Sequence, residues 1–214
     1  MVRPAVVTRS APFLLSGAGR LRYLWTKLCG MRLFALVLLS ILWACGSGDV
    51  PPAEPAREAA ERSAIEERLI TELSPSDDLA GRQRNAIINR AIDRNYDVEV
   101  APEGYFYEVL SEGEYNPLVE GDIVTAHYTG NFLDGSEFDS SRRRGDPLRF
   151  RVGDLIPAWN LALQRVRPGA RVRILTPSSL AYGPEGLVAP NGDTLVPADT
   201  PLEFLIEEIR ILEE

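Results

Sequence analysis

The chain has 214 residues, 45% of them hydrophobic and 8% aromatic, with a formal net charge of −8, a composition that suits one sizeable globular domain with accessories. The charge is unevenly placed: everything before Asp49 carries only Arg and Lys, and from Gly46 onward 17 Arg stand against 31 Asp and Glu, a net of −14 (17 − 31). A body this acidic repels phosphate backbones, so nucleic-acid binding is disfavoured and the charge reads as serving solubility.

Residues 1–30 contain Arg3, Arg9, Arg20, Arg22 and Lys27 and no acid, while Met31 opens a complete leader by itself. The extension therefore reads as a start codon placed too early, the alternative being a long basic leader. Residues 31–45, MRLFALVLLSILWAC, join a positive start to an apolar run, Leu33 to Ala44, that is short for a membrane span and suits the core of a signal peptide. The Leu42, Ala44 and Cys45 pattern resembles a bacterial lipoprotein signal, although Trp43 is bulkier than that pattern prefers. The resemblance implies cleavage and lipidation of Cys45. An uncleaved anchor or a hydrophobic helix of the fold is the alternative. Gly46 stands where some bacteria use an aspartate for inner-membrane retention, which favours the outer membrane, facing the periplasm. Cys29 falls in the extension and Cys45 would carry lipid, so the mature body has neither a disulfide nor a cysteine metal site.

Residues 46–56 are rich in Gly, Pro, Ala and Glu and read as a flexible tether. From 57 to 96 the pattern turns helical. Ala60, Ala64, Ile65, Leu69 and Leu73 recur at three-to-four spacing until Ser74-Pro75, and a second helix starts near Ser76 with Leu79, Ala86, Ile87, Ala91 and Ile92 as its apolar face. These helices hold too few large residues to form a domain. They pack on the body, pair with another chain as a homodimer through 57–95, or act as a spacer. From Val98 the period becomes two. Residues 122–129 place Val124, Ala126 and Tyr128 opposite Ile123, Thr125 and His127, Asp134-Gly135 marks a hairpin turn, and 170–176 reads as a strand with one wet face, its Arg171, Arg173 and Leu175 opposite Val172 and Ile174. In 201–212 the phase slips near Glu207, which reads as a bulge or as the strand leaving the core there. One helix, opened by Pro157, carries Ile156, Trp159, Leu163 and Val166 and ends before Pro168-Gly169. A curved antiparallel sheet wrapped around one short helix follows, an α+β fold preceded by N-terminal helices.

With one histidine, no thiol in the mature body, no phosphate-cradling glycine loop and no HExxH, metal, thiol and nucleotide chemistry have no candidates, and neither a metal nor a cofactor is expected. His127 reads as a structural strand residue. The ordered set HYTG (127–130), DGSEFDSS (134–141), PLRF (147–150), IPAW (156–159), RPGARVRI (167–174), LAYG (180–183) and LEF (202–204) closely resembles the FKBP-type peptidyl-prolyl cis-trans isomerases over about residues 104–213, within a domain bounded at 97–214.

The resemblance implies an apolar pocket that accelerates X-Pro isomerisation in protein folding. Tyr128, Leu148, Leu155, Ile156, Trp159 and Phe204 would bind substrate, with Trp159 as floor. Tyr182 would donate a hydrogen bond to a substrate carbonyl beside Phe138 on the pocket wall, and Asp139, held by Arg144, would orient groups at the rim. Leu148 stands where many relatives have an aromatic, and 183–197 is longer than the usual loop over the site, with Leu187 and Val188 as candidate lid contacts. The implied partners are proline-containing polypeptides and a membrane reached through the lipid. Two other readings stay open: a non-catalytic module or chaperone that grips proline-containing segments, and a structural assembly built on the 57–95 helices.

Overall fold

The computed structural model describes residues 54–212. Residues 1–30, the 31–45 signal, Cys45 and most of the 46–56 tether lie outside the described residues.

The first helix, α1 (Glu54–Ile70), begins three residues inside the stretch read as tether. Glu54 puts a negative charge at the positive end of the helix dipole, and Pro55 suits a first turn whose N–H groups have no intrahelical partner. It also ends earlier than its apolar period suggests. Thr71, Glu72 and Leu73 donate backbone bonds only three residues back, to Arg68, Leu69 and Ile70, so the chain tightens and Leu73 is left 38% exposed.

The second helix, α2 (Leu79–Arg94), is capped by Asp78 and not by Ser76: the Asp78 carboxylate accepts from the Gly81 N–H at 2.7 Å, while Ser76 Oγ takes only the Asp78 N–H at 3.4 Å. Asn95 closes it in the left-handed conformation. Its buried face differs from the predicted one. Leu79 is 42% exposed and Ala86 is exposed, whereas Gln83, Ile88 and Arg90 are buried beside Ile87 and Ala91. Polar residues enter that face because polar partners wait on the other side of the contact, which an apolar count does not register.

The sheet is antiparallel throughout. Strands β1 (Glu99–Val100), β2 (Phe106–Ser111), β3 (Ile123–Phe132), β4 (Glu137–Ser140), β5 (Leu148–Arg151), β6 (Arg171–Thr176) and β9 (Leu202–Ile211) run in the order β1-β2-β6-β9-β3-β4, with β5 also on β3. A short hairpin of β7 (Leu187–Val188) and β8 (Thr194–Val196) stands apart from it. One helical turn, α3 (Ser141–Arg144), follows β4, and α4 (Pro157–Leu163) lies across the concave face.

Alternation along β3 buries Val124, Ala126 and Tyr128, and β6 and β9 add Val172, Ile174, Leu202, Phe204 and Ile206 to the same core around Trp159 and Leu163. The predicted slip in β9 is a bulge at Glu208, whose φ of 54° shifts the pairing from Thr125↔Arg210 to His127↔Glu207. It returns Ile209 to the core but leaves Ile211 41% exposed.

The opposite face of β6 is not wet along its length. Leu175 is fully buried with Phe106 and Val98 against Leu69, Ile87, Ile88 and Ala91, so the N-terminal helices cover the back of the sheet. A buried ion pair fastens them. Arg90 of α2 donates to Glu203 of β9 at 2.8 Å, Tyr96 adds a hydroxyl bond to the same carboxylate at 3.0 Å, and the Arg173 guanidinium lies 3.5 Å from the centre of the Tyr96 ring.

Candidate active site

The concave face opens at one end into a small cavity of about 70 Å³ lined by Tyr128, Leu148, Leu155, Ile156, Trp159, Tyr182 and Phe204. Seven of the nine candidate pocket residues therefore meet, from β3, β5, α4, the loop after β6 and β9. Trp159 lies beneath, with Tyr128, Phe150 and Phe204 at centroid distances of 5.1, 5.9 and 5.5 Å, each edge-to-face, as the ring quadrupoles prefer. The cavity is far below the ~300–1,000 Å³ of sites for drug-sized ligands, a scale that suits one small ring. A larger groove of about 590 Å³, bordered by Tyr115, Pro168 and Ile211, is open and has a single aromatic, Tyr115, at 84% exposure. Convergent rings and free donors mark the smaller site, so volume does not decide between them.

Phe138 and Asp139 sit beside the cavity and do not line it. Phe138 packs on Phe132 and Phe204, at 5.3 and 5.9 Å, and over Gly130, where even a Cβ would lie 2.6 Å from the ring. Glycine at 130 is thus what lets the far end of the ring approach β3 so closely. Asp139 accepts from the Tyr128 hydroxyl and pairs with Arg144, which also donates to the Tyr128 hydroxyl at 2.9 Å. The carboxylate fixes the direction of Tyr128 and leaves the pocket interior apolar.

The family model for FKBP-type peptidyl-prolyl cis-trans isomerase matches residues 114–208. Residues 114–208 are an FKBP-type isomerase domain. The chain is 30% identical over 142 residues to the FKBP-type isomerase FkpA of Escherichia coli, covering 63% of this chain and 49% of that protein. It is 35% identical over 115 residues to the outer membrane protein MIP of Legionella longbeachae, covering 54% of this chain and 46% of that protein. The crystal structure of E. coli FkpA matches with a TM-score of 0.52 at 25% identity over 85% of this chain and 80% of that one. The chain spans about half the length of the curated relatives it matches.

Two donors of the FKBP-type domain point to unfilled needs. The Tyr182 hydroxyl makes no hydrogen bond among the described residues, and burial, then the nearby Asp139 charge, pushes its pKa up. The Ile156 N–H, at the start of α4, is likewise without a backbone acceptor. Tyr128 is different. Burial, then its bond to Asp139, raises its pKa to about 12, so the phenol stays a neutral donor throughout the neutral range. A phenol pKa raised on folding contributes stability that is present below about 10 and lost as pH climbs through about 12.

Residues the sequence did not flag hold these groups in place. Asn160 of α4 accepts from the Gly153 and Leu155 N–H groups at 3.0 and 3.2 Å and donates to their carbonyls at 3.0 and 2.6 Å, fixing the approach to Ile156. The Ser141 hydroxyl accepts from the Tyr128 N–H at 2.8 Å, donates to its carbonyl at 3.2 Å, and lies 3.1 Å from His127 Nδ1, so the lone histidine has a structural contact. In the 183–197 segment Leu187 packs against the core, whereas Val188 turns out at 56% exposure and gives the pocket no lid contact. Among the described residues no cluster of His, Cys, Asp and Glu could hold a metal, and no helix is long and apolar enough to cross a membrane.

Proposed function

We propose that this protein accelerates cis-trans isomerisation of X-Pro bonds in polypeptides. The observation that carries the reading is the small aromatic cavity with two unused donors, Tyr182 Oη and Ile156 N–H, at its edge. Rotation about the imide is slow because amide resonance must be lost, at a barrier of ~18–20 kcal/mol. No covalent bond has to break, so binding the twisted form better than either planar form suffices. A dry pocket takes the prolyl ring and gives no polar support to the charge-separated planar amide. Tyr182 donates to a substrate carbonyl, Ile156 N–H is the second donor, and Asp139 acts through Tyr128. Shortening a hundred-second event to a tenth of a second requires about 4 kcal/mol, since each ~1.4 kcal/mol is tenfold. In a protease-coupled assay on a prolyl tetrapeptide, the chain at micromolar concentration is expected to raise the isomerisation rate at least tenfold. Binding of the peptide without acceleration would favour the non-catalytic gripping module instead.

The anchored form of the protein is part of the same proposal: Cys45 carries lipid and holds the domain at the periplasmic side of the outer membrane, by the 31–45 signal pattern. Mass spectrometry of the mature N-terminus is expected to show acylated Cys45, and an intact Met31 would end the idea. Self-association has a narrower basis, because the sheet occupies the apolar face of α2. What supports it is the exposed apolar set at the α1–α2 turn, Ile70, Leu73 and Leu79.

A further inference from the structure

Gln83 is a polar residue buried on a helix that lies outside the segment matched to the family, 114–208. It is 5% exposed, and its amide spends every hydrogen-bonding group on one loop. Gln83 Oε1 accepts from the Ser178 N–H at 2.9 Å, and Nε2 donates to Ser178 Oγ at 2.9 Å and to the Asp199 carbonyl at 2.6 Å. Ser178 and Asp199 are the two stems of the connection from β6 to β9 that carries Tyr182 and the β7–β8 hairpin. The stems are also bonded to each other through the residue after Tyr182: Gly183 donates to the Ser178 carbonyl at 2.8 Å and accepts from the Asp199 N–H at 2.9 Å. Asp199 holds a left-handed φ of 53°, a conformation a non-glycine residue keeps only where its surroundings impose it.

We infer that Gln83 is a positioning residue for the pocket roof: by clasping both stems of the β6–β9 connection, the N-terminal helix α2 sets where the Tyr182 hydroxyl stands. The inference rests on the reading of Tyr182 as a substrate-binding donor. The connection has its own hairpin and the Gly183 bonds between its stems, but only Gln83 ties both stems to the helix behind the sheet through buried side-chain bonds, and the free energy of opening a loop is set by such bonds. Removing the amide leaves the Ser178 N–H buried and unpaired, so the stem opens to find water. The effect on substrate is a displaced donor, which weakens binding more than it slows a bound substrate.

The test uses the full chain with Gln83→Met, which keeps the volume and removes the bonds, and Gln83→Glu, which keeps the acceptor for Ser178 N–H but sets an oxygen against the Asp199 carbonyl. Ile88→Val, on the same helix and facing Phe106 and Leu175, is the packing control. Gln83→Met is expected to speed amide exchange over residues 178–186 at least tenfold with β6 unchanged, and to weaken binding of a prolyl tetrapeptide, read by titration calorimetry, about tenfold. KM rises more than kcat falls. Gln83→Glu falls between wild type and Gln83→Met, and serves in its place if Gln83→Met does not fold. Unchanged exchange over 178–186, or losses in Gln83→Met no larger than those in Ile88→Val, overturns the inference. A wild-type protein that binds the peptide without isomerising it sinks the proposed activity, while the exchange and binding arms still judge the clasp.

Discussion

Tyr182→Phe is expected to lower kcat/KM on a prolyl tetrapeptide about tenfold while leaving the unfolding midpoint within experimental error of wild type. The two halves of this expectation come from one fact: Tyr182 lines the cavity and its hydroxyl has no partner among the described residues. Deleting it therefore breaks nothing in the protein, and the ring that fills the roof remains. In the complex the same deletion removes a hydrogen bond worth about 1–1.5 kcal/mol, and a carbonyl that has given up its water would be left without a donor. At ~1.4 kcal/mol per decade that is one order of magnitude. Unaltered kcat/KM would remove Tyr182 from the mechanism and pass the donor role to Ile156 N–H alone. Phe138→Ala contrasts with it. That ring packs on Phe204 from outside the cavity, so its loss acts on stability first and reaches substrate only through a loosened wall.

What the sequence disclosed and what it withheld divide along sequence distance. The alternation in β3, the Asp134-Gly135 turn, the Pro157 start of α4 and the slip near Glu207 are local patterns, each written in a few adjacent residues by side-chain period or backbone preference. The pocket aromatics became legible as a set because their motifs keep a family order, not because any one ring differs from a core ring. The polar fastenings had no such signal. Gln83 meets Ser178 and Asp199 across 95 and 116 positions, and Arg90 meets Glu203 across 113. In α2 these residues look like the solvated side of an amphipathic helix, and a polar residue becomes a core residue only when a distant element supplies its partner. The same blindness misjudged Leu175, whose wet-face position is dry because α2 lies over it.

Glu203→Ala is expected to cost about 3–5 kcal/mol of folding free energy, by the usual effect of removing one partner of a buried ion pair. Arg90 and Glu203 have side chains 9% and 6% exposed, and Arg173 and Tyr96 converge on the same carboxylate. Without it, the buried Arg90 guanidinium loses its carboxylate, Arg173 keeps only Glu108, and the Tyr96 hydroxyl loses its acceptor. For a domain of this size each kcal/mol corresponds to ~2–4 °C, so thermal unfolding should fall by roughly 10 °C. Replacing the pair together, Arg90→Met with Glu203→Leu, is expected to recover much of the loss, because the desolvation of both charges disappears with their attraction. Chemical denaturation of the three proteins at constant slope measures this. Equal losses in the single and double variants would mean that packing volume, not uncompensated charge, sets the cost. Pocket function should change little in either, since Glu203 points to the back of the sheet while its neighbour Phe204 points into the cavity. A fall in kcat/KM of tenfold or more in molecules that remain folded would instead show that the helix-facing side of β9 controls the position of Phe204.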